Sequence, residues 1–180
     1  MIAHTPWHPS PPRLPPALLA CLTERGSLTE HLIATGHPFG VTVVMQGMAE
    51  VAADEAQWLG LPPGSPAYVR HVLLTLSDTP VVAARSVTPP DATFWREVLE
   101  RGGRSLGFTL FGELDDLERS PLAYCRAGDD HPLVRLARDA AGLHTPLQHL
   151  PARRSRFLRD GAPLIVAEAF LPTLERFLLS

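Results

Sequence analysis

The chain of 180 residues contains no lysine and no asparagine. Without lysine it has no amine for a Schiff base, no phosphate-loop lysine and no lysine general base. All 16 positions counted as lysine or arginine are therefore arginines. Any fixed positive charge in a binding site must then be a guanidinium, a group that binds carboxylates well.

An excess of positive charge is also absent, since the formal net charge is −3 at pH 7. Proteins that coat nucleic acids or bind membrane surfaces carry strongly basic patches. We therefore expect no nucleic-acid partner. The charge balance favours a small molecule or another protein as the binding partner.

Cysteine is scarce, and the two that occur, Cys21 and Cys125, form no CxxC motif. Both are predicted to be buried, unreactive thiols. His144 and His149 lack the i,i+4 spacing of a helical zinc site, so we expect no metal. The chain also lacks an apolar run of about 18 residues and a secretory leader pattern, which predicts no membrane span and a cytoplasmic location.

Proline is abundant, with 19 in the chain, and it is concentrated at the start. Residues 1–16 are predicted to form an extended, proline-rich arm, and residues 17–180 a single domain. No internal repeat or linker divides that domain.

Helix and strand patterns alternate irregularly along the domain. Helices are predicted from Pro16 to Gly26, from the capping box at Ser27 to Gly36, and over 91–101 and 130–141. Strands are predicted after Gly36, on both sides of the turn at 77–80, over 117–127 and on both sides of Asp160-Gly161. Strands that arrive as hairpins with helices between them indicate an α+β fold with an antiparallel sheet.

Two charged residues interrupt otherwise apolar strands, Arg70 in AYVRHVLL and Glu168 in APLIVAEAFL. One interpretation is that Arg70 and Glu168 pair with each other, or that exposure at a sheet edge relieves them. The other is that both line a closed cavity, where Arg70 binds a substrate carboxylate and Glu168 meets a hydroxyl or acts as an acid or base. Arg85 is a third candidate of this kind, with Asp91 or Glu97 as a possible acidic partner.

A dense run of arginines precedes the last hairpin: Arg153, Arg154, Arg156 and Arg159. The interpretation that the sequence favours is a solvated strand face. The alternative is a basic surface that attracts an anionic substrate or a partner.

Six segments occur in an order that resembles the chorismate pyruvate-lyase family. They run from about Gly26 to Pro172 and are SLTEHL, GVTVVMQG, YVRHVLL, ARSVTP, RSLGFTLF and RRSRFLRDGAPLIVAEAFLP. The resemblance implies a single antiparallel sheet of about six strands with helices on one side. It also implies an internal ligand cavity covered by two helical flaps.

The resemblance also implies roles for particular residues. Arg70 matches the arginine that binds the ring carboxylate, and Glu168 matches the carboxylate that hydrogen-bonds the para hydroxyl. Leu28 and Leu106 match the flap positions that approach the ligand through their backbone amides. Leu28 stands where family members often have methionine, a swap that conserves volume.

The implied reaction converts chorismate, which carries one carboxylate on its ring and one on its enolpyruvyl ether, into 4-hydroxybenzoate and pyruvate. In the family this reaction opens ubiquinone biosynthesis and needs no metal or cofactor. A monomer is expected. Residues 128–148 are longer than the matching connection in some family members, and we expect this insertion to lie on the surface.

The alternative function is a non-catalytic domain that binds or senses an aromatic acid. Effector domains of some bacterial transcription regulators share the implied fold, but they follow a winged-helix domain. About 26 residues precede the resemblance here, too few for such a domain, so the sequence favours the enzyme.

Overall fold

A computed structural model describes residues 6–143 and 149–179. The described helices are α1 Pro16–Leu22, α2 Leu28–Ile33, α3 Ala53–Leu59, α4 Thr93–Leu99, α5 Leu106–Phe108, α6 Pro132–Ala141 and α7 Glu175–Leu178. The strands are β1 Phe39–Glu50, β2 Pro66–Leu76, β3 Thr79–Thr88, β4 Glu118–Arg119, β5 Ala123–Ala127, β6 Leu150–Arg159 and β7 Ala162–Phe170. A π-helical turn, Thr109–Glu113, continues α5, and a 3-10 turn, Pro172–Leu174, precedes α7. No helix within these ranges is long and apolar enough to cross a bilayer.

All strands join one antiparallel sheet, in the order β1-β2-β3-β7-β6, with β4 and β5 both paired to the outer side of β6. Within the described residues the sheet therefore has seven strands, rather than the expected six or so. The strand predicted over 117–127 is split because Pro121 has no N–H to donate to β6. The predicted hairpins at 77–80 and at Asp160-Gly161 are confirmed.

Helices cover both faces of the sheet, so the expectation of helices on one side is wrong. On one face, α1 and α2 pack on Val72 and Phe170. On the opposite face, α6 packs on Leu73 and Ala167, and α3 packs on Ile165 and its neighbours. The central strands are apolar on both faces, and each face needs its own cover.

Helix α6 falls within the predicted surface insertion, but it belongs to the core. Its buried side chains are Leu133, Val134, Leu136 and Ala137, and they pack on the central strands. The expectation of a surface decoration is therefore wrong for this helix. His144 lies outside the described residues.

The proline-rich arm lies against the domain at Trp7 and His8. The Trp7 Nε1–H donates to Asp54 Oδ2 at 2.7 Å, and the His8 backbone exchanges two hydrogen bonds of 2.8 Å with Tyr124. The arm thus pairs with the outer edge of β5.

Candidate active site

A pocket of about 50 Å³ opens between the sheet and the segments that contain α2 and α5. Its wall contains the four residues to which the family resemblance gives a role: Leu28, Arg70, Leu106 and Glu168. They come from separate parts of the chain, and the tertiary structure brings them to one place.

Arg70 projects from β2 into this pocket and is 3% exposed. Its Nη2 donates to the carbonyl oxygens of Gly102, at 2.6 Å, and Arg104, at 3.3 Å. Its Nε is buried and has no hydrogen-bond partner among the residues that the structure describes. Burial lowers the pKa of Arg70 below its ordinary value. A buried donor without an acceptor costs free energy, so an anionic ligand at this nitrogen would relieve the cost.

Glu168 forms an ion pair, but with Arg153 and not with Arg70. Arg153 stands directly opposite it on β6, and the Arg153 Nε donates to Glu168 Oε2 at 2.6 Å. The Arg153 side chain is 2% exposed and that of Glu168 is 15% exposed. The interpretation that Arg70 and Glu168 pair with each other is therefore wrong.

The Arg153 guanidinium also ties the sheet to the α1–α2 connection. Its Nη1 donates to the carbonyl oxygens of Leu22, at 3.2 Å, and Glu24, at 2.6 Å. Glu168 keeps its place in the pocket wall, and among the described residues no hydrogen bond reaches its Oε1.

The partner of Glu168 could have been found from the sequence. A two-residue turn at Asp160-Gly161 pairs Arg159 with Ala162, and counting outward pairs Arg153 with Glu168. The register of the hairpin therefore predicts this ion pair, whereas alternation within each strand does not.

The segments α2 and α5 meet over the pocket. Thr29 Oγ1 and Ser105 Oγ lie 2.5 Å apart in a buried hydrogen bond. A Cβ at Gly107 would lie 2.7 Å from Thr29 Oγ1 and 2.9 Å from Ser27 Oγ. Glycine is therefore needed here for the close approach of the two segments.

Leu28 and Leu106 are each the first residue of their helix. The first N–H groups of a helix have no acceptor within that helix. The Ser27 Oγ accepts from Glu30 N at 3.2 Å, which confirms the serine half of the predicted capping box. The backbone N–H groups of Leu28 and Leu106 remain free of intrahelical bonds at the pocket wall.

Arg85 lies on the opposite face of the sheet and does not reach the pocket. Its guanidinium binds both carboxylate oxygens of Glu55, at 2.7 and 2.9 Å, and approaches His71 Nε2 at 2.8 Å. The predicted partners Asp91 and Glu97 are both wrong. Helix α3, which carries Glu55, covers this face of the sheet.

The arginine run before the last hairpin is not a solvated face. Arg153 and Arg154 are buried. The Arg154 guanidinium lies 4.5 Å from the Trp7 ring centroid and 4.1 Å from that of Trp58. The arm and α3 cover this part of β6, whereas Arg156 and Arg159 are half-buried.

Sequence reasoning did not place Arg119 in the site. It lines the pocket from β4, and its Nε donates to Ser155 Oγ at 3.1 Å. Burial lowers the pKa of Arg119, and the charge of Arg153 adds to this. Its position in a short edge strand explains why strand alternation did not single it out.

The two cysteines are not among the residues that line the pocket. Cys21 and Cys125 are free, buried thiols, and burial raises the pKa of each to about 12. No group of three or more potential metal-ligating side chains occurs within 6–143 and 149–179.

The sequence profile of the family described as chorismate lyase matches residues 2–177. The chain belongs to the chorismate lyase family. The probable chorismate pyruvate-lyase of Nitrosomonas europaea is 36% identical to this chain over 172 residues. The match covers 94% of this chain and 95% of the Nitrosomonas europaea protein. The probable chorismate pyruvate-lyase 1 of Pseudomonas entomophila is 41% identical to this chain over 148 residues, and the match covers 81% of this chain and 77% of that protein.

Two solved structures of another protein have a fold similar to that of this chain. The effector domain of PhnF from Mycobacterium smegmatis has a TM-score of 0.51 at 20% identity, and the match covers 82% of this chain and 90% of that domain. A second structure of PhnF has a TM-score of 0.53, covering 83% of this chain and 65% of that one. At this identity the likeness concerns the fold alone.

Proposed function

We propose that this protein is a chorismate pyruvate-lyase that converts chorismate into 4-hydroxybenzoate and pyruvate. Membership of the family and the names of its relatives support this activity. The observation that carries the proposal is the placement of Arg70 and Glu168 in the wall of one pocket, beside the amides of Leu28 and Leu106.

Arg70 binds the ring carboxylate in this proposal. Its Nη2 is anchored to two backbone carbonyl groups, which leaves the unpartnered Nε to donate to a carboxylate oxygen. The amides of Leu28 and Leu106 donate to the same carboxylate. The segments α2 and α5 then act as flaps over an internal ligand cavity.

Glu168 accepts a hydrogen bond from the para hydroxyl of the ring. Arg153 occupies Oε2, which leaves Oε1 for the ligand. The ion pair also fixes the side chain between β6 and β7, so the hydroxyl is oriented by a preorganised group.

The chemical step is an elimination that makes the ring aromatic. The C–O bond between the ring and the enolpyruvyl group breaks, and the ring carbon that bears the hydroxyl loses a proton. The enolpyruvate gains a proton at its methylene carbon and becomes pyruvate. The protein contributes by holding the reactive conformer, excluding water and stabilising the departing anion, so we propose that no cofactor is needed.

The activity is tested with purified protein and chorismate. Pyruvate is followed by a coupled lactate dehydrogenase assay, and 4-hydroxybenzoate by chromatography. We expect equal amounts of the two products and the same rate with and without EDTA. A folded protein that binds 4-hydroxybenzoate but releases no pyruvate would instead support a sensor or carrier of an aromatic acid.

The same proposal includes the division of the chain into arm and domain, the oligomeric state, the location in the cell and the pathway. Residues 17–180 form the catalytic domain, and residues 1–16 form the arm. The protein acts as a monomer in the cytoplasm, where its two free thiols stay reduced, and supplies 4-hydroxybenzoate to ubiquinone biosynthesis. Light scattering during gel filtration gives the oligomeric state.

A further inference from the structure

Among the described residues, three arginines line the pocket, and one of them has neither a carboxylate partner nor a ligand group assigned to it so far. They are Arg70, Arg119 and Arg153, while Glu168 is the single carboxylate among the described lining residues. Arg153 is paired with Glu168, and Arg70 is the proposed partner of the ring carboxylate. In the described ranges, no carboxylate lies within 4.0 Å of the Arg119 guanidinium.

The Arg119 guanidinium is held in a fixed orientation. Its Nε donates to Ser155 Oγ at 3.1 Å, and its Nη1 donates to the carbonyl oxygen of Arg25. Its central carbon lies 4.9 Å from the ring centroid of Phe111 and 5.2 Å from that of Phe157. Its Nη2 has no acceptor among the described residues, so one edge of a preorganised cation remains available for a ligand.

Arg119 and Arg70 approach the pocket from opposite ends. Arg70, Ser86, Val166 and Ser155 form a continuous row across β2, β3, β7 and β6. Three strand spacings separate the ends of this row, about 14 Å between Cα atoms. Arg119 is attached to Ser155 at the far end, on the same side of the pocket as Glu168.

Chorismate has an anionic group for that position. Its second carboxylate belongs to the enolpyruvyl ether, which is attached to the ring carbon next to the hydroxyl. A hydrogen bond from the hydroxyl to Glu168 places this ring carbon beside β7, the neighbour of β6. In one of the two ring orientations that keep this hydrogen bond, the ether faces Arg119. We propose that Arg119 binds the carboxylate of the enolpyruvyl group and so positions the leaving group.

This inference rests on the proposed function and deepens it. The product 4-hydroxybenzoate lacks the second carboxylate, so Arg119 distinguishes the substrate from the product. Arg70, by contrast, binds an anionic group that both molecules have.

The test compares two stable ligands that differ by one charge. One is 4-hydroxy-3-methoxybenzoate, and the other is 4-hydroxybenzoate with a carboxymethoxy group at position 3. Their dissociation constants are measured by calorimetry for wild type, Arg119→Gln and Arg119→Lys. Arg126→Gln is the matched control, because Arg126 also donates to a backbone carbonyl near the N-terminus but is exposed and not among the residues that line the pocket.

We expect Arg119→Gln to weaken binding of the diacid roughly 10- to 100-fold, the range of a lost charge-assisted hydrogen bond. Binding of the methoxy ligand should change less than about threefold. Arg119→Lys should recover part of the preference for the diacid, and Arg126→Gln should leave it unchanged. The kcat/KM for chorismate should fall in Arg119→Gln by a factor similar to the loss in diacid affinity.

Equal weakening of both ligands, with a lower melting temperature, would assign Arg119 a structural role and overturn the inference. An unchanged ratio of the two dissociation constants would also overturn it. If wild type releases no pyruvate but still prefers the diacid through Arg119, the lyase proposal fails and the second carboxylate site stands.

Discussion

Arg153 reaches across from β6 to Glu168 on β7, with 2.6 Å between its Nε and Oε2. The same guanidinium holds the carbonyl oxygens of Leu22 and Glu24. One buried cation therefore orients a carboxylate of the pocket and attaches the connection that leads into α2. Loss of Arg153 should have consequences for both stability and turnover.

The two partners should differ in their cost to stability. Arg153→Gln leaves Glu168 without its counter-ion, and removing one partner of a buried pair costs about 3–5 kcal/mol. Glu168→Gln should cost less, since Arg153 keeps its two carbonyl acceptors. Urea unfolding of both variants measures the difference, and equal costs would contradict this account of the pair.

Arg70→Gln should weaken ligand binding more than it weakens folding. We expect the dissociation constant for 4-hydroxybenzoate to rise roughly 10- to 100-fold, since a charge-assisted hydrogen bond is worth about 1.5–3 kcal/mol. Calorimetry measures affinity, and thermal melting measures stability. Arg135→Gln on the exposed face of α6 is the control. A variant that unfolds while its folded fraction binds normally would show that Arg70 is structural.

Gly107→Ala should separate the two segments above the pocket. The new Cβ would lie 2.7 Å from Thr29 Oγ1, and overpacking of this kind costs about 1–3 kcal/mol. We expect kcat/KM to fall by more than the loss of folded protein explains, and melting curves give the folded fraction at the assay temperature. Gly112→Ala is the control, because a Cβ there meets no atom within 4 Å. Equal activity of the two variants would argue against a role for this close contact.

His71 should make the protein sensitive to acid. Burial and the neighbouring Arg85 lower the pKa of His71 from 6.5 to about 4, so between these values the unfolded chain binds a proton that the folded chain does not. The stability from this group is complete above pH 6.5 and is lost as the pH falls toward 4, by up to about 3 kcal/mol.

His71→Gln removes the titration while keeping an acceptor for the Arg85 guanidinium. Urea unfolding at several pH values should therefore show a shallower loss of stability between pH 6.5 and 4 in the variant. His131, whose pKa burial also lowers, retains part of the slope. Identical slopes in wild type and variant would contradict the assignment to His71.

The sequence by itself determined what local patterns and registers control. Alternation along β2 and β7 identified Arg70 and Glu168 as charges in apolar strands, and the turn at Asp160-Gly161 set the register of the last hairpin. The cap at Ser27 and the turn at 77–80 were predictable for the same reason. Each depends on residues that are close in the chain.

The tertiary structure decided what depends on packing between distant segments. Alternation shows which side chains share a face of a strand, but not which helix covers that face or which charge lies opposite. For this reason the ion pair between Arg85 and Glu55 on α3 was not predicted. The cover that Trp7 of the arm provides for Arg154 was not predicted either. Arg119 joined Arg70 at one pocket because the sheet brings β2 and β4 to the same surface.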